Sequence, residues 1–215
     1  MIITISHQKG GVGKSTILWN LIAEYSKRNK ITVVDLDAQK TITYTLQIRK
    51  KLGINIRNIT LLDPKDEKDL IKIIKEYQKK GLVLIDSGGF DSKMNRIAIA
   101  GSNLLLTPVS SKFYELLGLK KYEEVLSFMS TKLNKKIIAN VVLNKINPNV
   151  RDLSEIINFI NHSKHFHLMK SVMRQRVDYE NSPGVGKSVV EFNKEGRASQ
   201  EFIAFKKELS KIILS

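Results

Sequence analysis

The chain has no cysteine, and among its 215 residues only 4 are proline and 1 is tryptophan. Without cysteine, disulfides and thiolate-bound metal centres cannot form, so iron–sulfur proteins are excluded. The sequence also lacks an apolar run of the ~20 residues that a membrane-spanning helix needs. No signal peptide is recognisable, because the first residues lead directly into a strand-like stretch. We therefore expect a cytoplasmic protein.

Acidic residues are in short supply relative to basic ones. The sequence has 36 Lys and Arg against 21 Asp and Glu, a formal net charge of +15. Such an excess attracts polyanions, so nucleic acid and an anionic membrane surface are both candidate partners, with a merely solvated basic surface as the alternative. A hydrophobic fraction of 42% suffices for one core, and we expect residues 1–215 to form a single domain.

Apolar runs alternate along the chain with amphipathic, helix-like stretches. In Asp66–Lys80, for example, the apolar residues keep helical spacing, and Gly81 suits the residue after the helix. The runs predict strands buried on both faces at Ile2–Ser6, Ile31–Leu36, Leu82–Asp86, Asn103–Pro108 and Ile137–Leu143, with a weaker one near Phe166–Lys170. The alternation predicts an α/β fold with a doubly wound, mainly parallel sheet between two helix layers. Ligands of such folds bind beyond the carboxyl ends of the strands.

The segment between the first strand and the first helix is the most informative. It reads K-G-G-V-G-K-S-T from Lys9 to Thr16, and strand, glycine loop and helix are the context that a phosphate-binding loop requires. Glycines let successive N–H groups converge on phosphate oxygens, and the helix N-terminus adds positive charge. Lys14 is then expected to reach the β- and γ-phosphates, and the Ser15 hydroxyl to ligate Mg²⁺. This segment predicts a P-loop NTPase.

Lys9 is an additional lysine that an ordinary phosphate loop does not need. It cannot easily fold back onto its own nucleotide, but it could reach a nucleotide held by a second subunit. The pattern is the deviant Walker A motif, K-G-G-x-G-K-[ST], and with it the chain resembles the ParA/MinD family of dimerising ATPases over nearly its full length. Among these it is most similar to small plasmid-type ParA partition ATPases. The resemblance implies ATP and Mg²⁺ as cofactors and a homodimer in the ATP state.

Carboxylates stand at the ends of two further predicted strands. Alternation places Asp35 and Asp37 on the same side of the chain, near the phosphates. Asp86 ends an apolar strand in the manner of a Walker B segment and would hold Mg²⁺ through water. The family segment usually reads D-x-D-P-Q, which implies that Asp37 serves hydrolysis and Asp35 supports the metal site; Ala38 replaces the proline. The expected catalytic residues are Lys9, Lys14 and Asp37, and the expected metal residues are Ser15, Asp35 and Asp86.

Two further segments bear on the nucleotide. Ser87-Gly88-Gly89 departs from the commoner family sequence D-T-P-P, whereas Asp91-Ser92 and Arg96 resemble a plasmid-type version of this segment. Asn144-Lys145 ends a strand where the family usually contacts the base. Asn147 stands where a GTPase has an aspartate that reads guanine, so ATP is favoured over GTP. The expected nucleotide-binding residues are Gly10, Gly11, Val12, Gly13, Lys14, Ser15, Thr16 and Asn144.

Gly184-Val185-Gly186-Lys187-Ser188 looks like a second phosphate loop, and we reject it. Asn181 stands where the earlier glycine is required, and no predicted strand leads into the segment. The resemblance offers a different interpretation, because an R-x-x-Y sequence, a glycine turn and V-x-E recur here in the family. The matching residues are Arg176, Tyr179, Gly186, Val189 and Glu191.

The C-terminal third is rich in basic residues, which neutralise phosphates without reading sequence. By the resemblance we expect DNA contacts from Lys170, Arg174, Arg176, Lys194 and Arg197. The last helix, about Ala198–Leu214, has Phe202, Phe205, Leu209 and Ile212 at helical spacing. This spacing favours packing on the sheet over an amphipathic membrane anchor. The histidines at 162, 165 and 167 are expected to be solvated rather than metal-bound.

The motifs together favour a partition ATPase. It would bind nonspecific DNA as the ATP dimer, associate with the nucleoid, and be released when a centromere-binding (ParB-like) adaptor stimulates its otherwise slow hydrolysis. Two alternatives remain open at this point: a MinD-like, membrane-associated positioning ATPase, and a metabolic ligase or kinase on the same fold. The high positive charge, and the lack of a segment suited to a small substrate, argue against the ligase or kinase.

Overall fold

The computed structural model describes residues 1–214, apart from the side chain of Phe113. Within this part of the chain, seven strands form one sheet in the order β3-β2-β4-β1-β5-β6-β7, and every neighbouring pair is parallel. The strands are β1 Ile2–Ile5, β2 Ile31–Asp35, β3 Ile59–Leu62, β4 Leu82–Asp86, β5 Leu104–Val109, β6 Ala139–Ile146 and β7 Phe166–Arg174.

Helices follow the strands and cover both faces of the sheet. They are α1 Lys14–Tyr25, α2 Thr41–Lys51, α3 Glu67–Tyr77, α4 Lys93–Gly101, α5 Phe113–Leu133, α6 Ser154–His162, α7 Val177–Asn181, α8 Val189–Phe192 and α9 Arg197–Leu214. A 3₁₀ turn spans Ser182–Val185. The doubly wound α/β sheet predicted from the sequence is confirmed.

Alternation along the central strands supplies both halves of the core. On β5, Leu104 and Leu106 pack with α1, α2 and α9, whereas Leu105 packs with α5 and α6 on the other face. α3 and α4 pack on that second face against β1, β2 and β4. Strands that are buried on both faces therefore read as continuous apolar runs, which makes them recognisable in the sequence.

The strand that the sequence did not predict is β3. It is a short edge strand, its residue Leu61 is 37% exposed, and only β2 pairs with it. Several predicted boundaries also differ from the structure; β6, for example, spans Ala139–Ile146 instead of Ile137–Leu143. β7 continues to Arg174, and α3 ends at Tyr77, so Gly81 lies beyond the helix end rather than directly after it.

The last helix packs on the sheet, as its spacing predicted. Phe202, Phe205 and Leu209 are fully buried in the core, and Ile212 packs against it. Across residues 1–214, no helix is long and apolar enough to cross a membrane. The same part of the chain holds no cluster of three histidine or acidic side chains arranged to bind a metal ion.

Candidate nucleotide-binding site

The phosphate loop connects the buried strand β1 to the N-terminus of α1. Gly11 and Gly13 have φ of +81° and +95°, values that other residues rarely adopt. A Cβ at Gly13 would also lie 2.3 Å from Nδ2 of Asn144. The conformation and the close approach both require glycine, so this loop tolerates no side chain at its helix end.

The loop forms one wall of a cleft of about 450 Å³ at the carboxyl edge of the sheet, the edge at which all its strands end. From the loop it takes Gly10, Gly11, Gly13, Lys14, Ser15 and Thr16, and from other elements Asp37, Ala38, Gln39, Thr41, Gly89, Phe90 and Lys145. Val12 is the exception among the predicted loop residues, since its side chain is buried in the core. A second cleft of about 220 Å³ shares Thr16 and Lys145 with the first, so the two adjoin.

Lys14 is held inside the loop. The residue is 4% exposed, and its ammonium group donates a hydrogen bond to the Lys9 carbonyl oxygen at 3.1 Å. Burial lowers the pKa of Lys14, while the Asp86 and Asp37 carboxylates oppose that shift. A desolvated cation next to the loop N–H groups is suited to bind phosphate oxygens.

Asp86 is fully buried at the end of β4, in register with Asp35 of β2 and Ile5 of β1. Neither carboxylate oxygen has a hydrogen-bond donor among the described residues. Burial, together with the nearby Asp35 and Asp37, raises the pKa of Asp86 to about 7, although Ser15 and Lys14 act in the opposite direction. A buried carboxylate without donors, beside the Ser15 hydroxyl, fits the oxygen-rich surroundings of a hydrated Mg²⁺.

Asp35 and Asp37 differ in how free their carboxylates are. The Asp35 carboxylate accepts hydrogen bonds from the Thr43 N–H (3.0 Å), the Thr43 hydroxyl (2.9 Å) and the Asp37 N–H (3.2 Å). It therefore fixes the start of α2 and the strand end that carries Asp37. Asp37 is half-buried and lines the cleft, with one oxygen accepting from the Gln39 N–H at 2.9 Å. Asp37 is thus the more available of the two carboxylates.

Residues 3–190, which include all of these groups, match the model of the CobQ/CobB/MinD/ParA nucleotide binding domain family. The chain belongs to this family. It is 27% identical over 152 residues to Protein ParA of Rhizobium radiobacter, covering 70% of this chain and 67% of that protein. It is 23% identical over 249 residues to the sporulation initiation inhibitor protein Soj of Bacillus subtilis, covering 97% and 98%. The resemblance to the ParA/MinD family inferred from the motifs is confirmed.

Solved structures of similar fold include nucleotide complexes. A Borrelia burgdorferi plasmid partition protein bound to AMPPNP has a TM-score of 0.74 at 20% identity, covering 98% of both chains. A Cyanothece McdA–ATP complex has a TM-score of 0.78 at 16% identity, covering 97% of this chain and 96% of that one. The MinD cell division protein of Aquifex aeolicus has a TM-score of 0.75 at 18% identity, covering 98% and 97%. These likenesses establish the shared ParA/MinD fold.

Lys9, the additional lysine of the deviant loop, is half-buried between the cleft and α5. Its ammonium group lies 5.9 Å from the centroid of the Tyr114 ring. The Lys9 N–H donates to Nδ1 of His7 at 2.9 Å, and α5 approaches closely at Gly118. The sequence analysis did not single out His7, although a histidine two positions before the phosphate loop is recognisable in the sequence as a possible partner of the loop.

Asn144 and its neighbour Lys145 bind the backbone of the phosphate loop. The Asn144 amide donates to the Val12 carbonyl at 2.8 Å, and the Lys145 ammonium donates to the Gly11 carbonyl at 2.8 Å. Asn144 also lines the second cleft, next to Arg174, Gln175, Arg176, Tyr179, Glu180 and Pro183. The sequence suggested only a contact of Asn144 with the nucleotide base. In the structure, Asn144 and Lys145 also hold the backbone of the phosphate loop.

The segment after β4 packs directly on the phosphate loop. A Cβ at Gly89 would lie 2.9 Å from the Gly10 nitrogen, so glycine is required there by proximity. Ser92 caps α4 by accepting from the Asn95 N–H at 3.1 Å. Arg96 donates to Asp91 at 2.8 Å. The segment that departs from the commoner family sequence is therefore held in place by specific contacts at Gly89, Ser92 and Arg96.

The residues expected to contact DNA are not equally accessible. Arg176 forms a 2.7 Å ion pair with Glu201, and Arg174 donates to the Asn147 and Pro148 carbonyls at 3.4 Å. Both arginines line the second cleft. Lys170, Lys194 and Arg197 are exposed and form no salt bridge within residues 1–214. The five residues thus divide into a pair at the nucleotide cleft and three on the open surface.

The segment that mimics a second phosphate loop is occupied by protein groups. Arg49 donates to the Gly186 carbonyl at 2.8 Å and to both Glu191 oxygens at 2.8 and 2.9 Å. Ser188 forms a capping box with Glu191 at the start of α8. The structure agrees with the rejection of this segment as a phosphate site, because α7 leads into it instead of a strand and its first two residues belong to the 3₁₀ turn.

Proposed function

We propose that this protein is an ATPase that partitions or positions DNA, whether plasmid or chromosome, by cycling between an ATP-bound dimer and a free subunit. The dimer binds nonspecific DNA, and hydrolysis stimulated by a ParB-like, centromere-binding adaptor releases it. The protein is accordingly nucleoid-associated. The observation that carries the proposal is the deviant phosphate loop itself: Lys14 is turned back onto the Lys9 carbonyl, while the Lys9 side chain remains outside the loop.

The two adjoining clefts suit the two parts of ATP. Their volumes of about 450 and 220 Å³ lie together within the usual range for a nucleotide-sized ligand. The triphosphate is assigned to the cleft lined by the loop glycines and Lys14. Adenosine is assigned to the cleft beside Asn144 and Tyr179.

Mg²⁺ fits the oxygen groups at the base of the phosphate cleft. Ser15 and Asp86 would hold it, with Asp35 supporting the neighbouring strand end, and the ion would neutralise charge on the β- and γ-phosphates. The chain's own groups do the rest. Lys14 binds the phosphates, Asp37 orients the attacking water, and Lys9 of a second subunit adds a cation where charge develops.

The names of the relatives agree with this role. They include a plasmid partition protein, ParA, Soj, McdA and the cell division protein MinD. The MinD-like alternative needs a surface that inserts into a membrane. Phe202, Phe205 and Leu209 of α9 are buried in the core, so the aromatic and leucine side chains that would form such a surface are already used in packing.

Sedimentation velocity with a non-hydrolysable ATP analogue tests the dimer. We expect wild type to sediment as a dimer with the analogue and as a single subunit with ADP.

Lys9→Ala should remain a single subunit, because the charge contact across the interface is lost. Asp37→Ala should accumulate dimer with ATP itself, because hydrolysis stalls. Lys112→Ala, which changes an exposed lysine at the start of α5, is the matched control. A wild type that stays a single subunit at saturating analogue would refute the proposal.

Binding to nonspecific duplex tests the DNA step. Affinity measured with ATP analogue, ADP and no nucleotide should be highest with the analogue. Equal affinity in all three states, or none in any of them, would count against the proposed cycle. If the protein floats with liposomes in the presence of ATP and binds no DNA, the membrane alternative is supported.

A further inference from the structure

The basic residues of this chain are distributed unequally between the two edges of the sheet. All strands begin at the amino edge, and the segments that lead from helix ends to strand starts close it: residues 26–30, 52–58, 78–81, 102–103, 134–138 and 163–165. These segments contain no aspartate or glutamate. Their basic residues are Lys27, Arg28, Lys30, Arg57, Lys79, Lys80, Lys135, Lys136 and Lys164.

The last helical turns at this edge add to the same charge. They contribute Lys50, Lys51, Lys75, Lys132 and Lys211. Cations at helix C-termini complement the helix dipole, so part of this pattern is expected of any such fold. The dipole does not account for the connecting segments, however, which lie outside the helices: five of the six contain basic residues, and none contains an acidic one.

Two acidic residues at the helix ends of the amino edge are already neutralised, whereas Glu123 and Glu124 of α5 line a cleft beside Lys164. Glu24 forms salt bridges with Lys27 and Lys206, and Glu76 forms one with Lys80. Within residues 1–214, no salt bridge involves the other exposed cations of this edge, namely Arg28, Lys30, Lys50, Lys51, Arg57, Lys75, Lys79, Lys132, Lys135, Lys136, Lys164 and Lys211. The amino edge therefore carries a net positive charge, with Glu123 and Glu124 beside Lys164 as nearby acidic groups that form no salt bridge among the described residues.

The carboxyl edge provides the comparison within the same molecule. Its connecting segments contain Lys9, Lys40, Lys65, Lys112, Arg151 and Arg176, but also Asp37, Asp63, Asp66, Asp91 and Asp152. The positive and negative charges there nearly balance. The charge excess of the chain is thus concentrated at the edge remote from the nucleotide cleft.

The dimensions and the chemistry of the amino edge suit duplex DNA. Seven strands spaced ~4.8 Å apart span about 29 Å, the length of roughly eight to nine base pairs at ~3.4 Å each. A cleft of about 520 Å³ opens in the middle of this edge, and its polar lining consists of Lys79 and the amide side chains of Gln78, Asn103 and Asn140, beside the apolar residues Met1, Leu104, Ile138, Ile212 and Ile213. Amides and ammonium groups together are typical of contacts to phosphate and sugar.

We propose that the amino edge is the surface that holds nonspecific duplex DNA. This rests on the proposed function, in which two subunits join at their carboxyl edges through ATP. The two amino edges then face away from each other, so the ATP dimer carries two separate DNA sites and bridges two duplex segments. ATP strengthens binding to long or concentrated DNA because joining two sites raises the effective concentration at the second.

A charge-matched set of triple variants tests the surface. Arg57→Ala, Lys79→Ala and Lys136→Ala are combined at the amino edge, and Lys65→Ala, Lys68→Ala and Lys72→Ala form the control on the flank of α3.

Binding to a duplex of about 30 base pairs is measured by fluorescence anisotropy between about 50 and 200 mM salt. The amino-edge triple should lose about tenfold or more in affinity, and its log–log salt slope should fall by up to ~2.7, since each lost phosphate contact removes ~0.9. The control triple should stay within about twofold of wild type. ATP-dependent dimerisation of each triple verifies that it folds.

The outcomes separate this inference from the function on which it rests. If wild type binds no DNA in any nucleotide state, the proposed function itself fails. If wild type binds DNA and the amino-edge triple binds equally well, the inference is overturned while the function stands. Loss of binding in a Lys170→Ala, Lys194→Ala, Arg197→Ala triple instead would also overturn it, in favour of the C-terminal residues. If the amino-edge triple loses flotation with anionic vesicles but binds DNA as well as wild type does, the inference is overturned in favour of a membrane surface.

Bridging provides a second, independent readout. Two duplexes carrying donor and acceptor dyes should show energy transfer with wild type and the ATP analogue. Lys9→Ala should bind one duplex without bringing two together. Energy transfer that is unchanged in the amino-edge triple would contradict the proposed geometry.

Discussion

Nδ1 of His7 accepts a hydrogen bond from the backbone N–H of Lys9 at 2.9 Å. His7 is 1% exposed, and its ring stacks on Tyr122 of α5 with the centroids 6.0 Å apart. The Lys9 carbonyl in turn accepts from the Lys14 ammonium. A buried imidazole thus fixes the Lys9 peptide, whose carbonyl in turn holds the Lys14 ammonium, and it connects both lysines to α5.

Removing the acceptor at position 7 should weaken nucleotide binding. His7→Ala leaves the Lys9 N–H without its partner, a loss of about 1–3 kcal/mol, which corresponds to roughly tenfold or more in affinity for a fluorescent ATP analogue if the loop loosens. His7→Asn should recover most of this loss, because an asparagine oxygen can accept from the N–H two residues on. The exposed His167→Ala is the control. Equal affinity of His7→Ala and wild type would show that this hydrogen bond does not position the loop.

The buried imidazole should also make stability depend on pH. Burial, reinforced by Lys14 and Lys9, lowers the pKa of His7 from 6.5 to about 3. The unfolded chain therefore binds this proton below pH 6.5 while the folded protein does not. The neutral imidazole is compatible with the fold above pH 6.5, and stability is lost as the pH falls from there towards 3, by up to ~1.4 kcal/mol per pH unit. Urea unfolding of wild type and His7→Asn should diverge with this slope. Parallel curves between about pH 7.5 and 5 would contradict the assignment.

Asp86→Asn should abolish the magnesium-dependent part of nucleotide binding. The Asp86 carboxylate is fully buried, and its oxygens have no donor among the described residues. Replacing it with an amide removes the negative charge that suits a hydrated cation. In thermal unfolding, Mg²⁺ added to the ATP-analogue complex should raise the Tm of wild type and leave that of Asp86→Asn unchanged. Asp66→Asn, which keeps a good helix cap on α3, is the control. An equal Mg²⁺ increment in Asp86→Asn would exclude this carboxylate from the metal site.

The central strands and the phosphate loop could be predicted because both depend on local pattern. A strand buried on two faces is apolar throughout, and a glycine loop with G-K-S between strand and helix is specific to phosphate binding. β3 escaped prediction because an edge strand needs no such pattern: Leu61 is partly exposed, and only β2 holds the strand in place.

Contacts between distant segments could not be predicted in the same way. Lys145 binds the Gly11 carbonyl and Asn144 binds the Val12 carbonyl across more than a hundred residues. Glu201 of α9 pairs with Arg176, so a residue that the sequence assigned to DNA contacts also has a structural contact that the sequence did not indicate. The polarity of the two sheet edges likewise depends on the strand order and direction. Composition predicted the excess of charge but not its position.

Arg49 should be essential for stability although it lies outside the nucleotide cleft. It is 3% exposed, it binds both oxygens of Glu191, and its guanidinium lies 5.9 Å from the Trp19 ring centroid. Arg49→Ala removes the ion-pair partner of the mostly buried Glu191, which keeps the Ser188 N–H as a donor, and should lower the free energy of unfolding by about 3 kcal/mol in urea titrations. The double variant with Glu191→Ala should lose less than the sum of the single losses, by about 0.5–3 kcal/mol, because the second change removes the unpaired charge. Exposed Lys50→Ala, one residue along α2, should stay within about 0.5 kcal/mol of wild type. Strict additivity of the two single variants would mean that the pair does not stabilise the packing of α2 against α8.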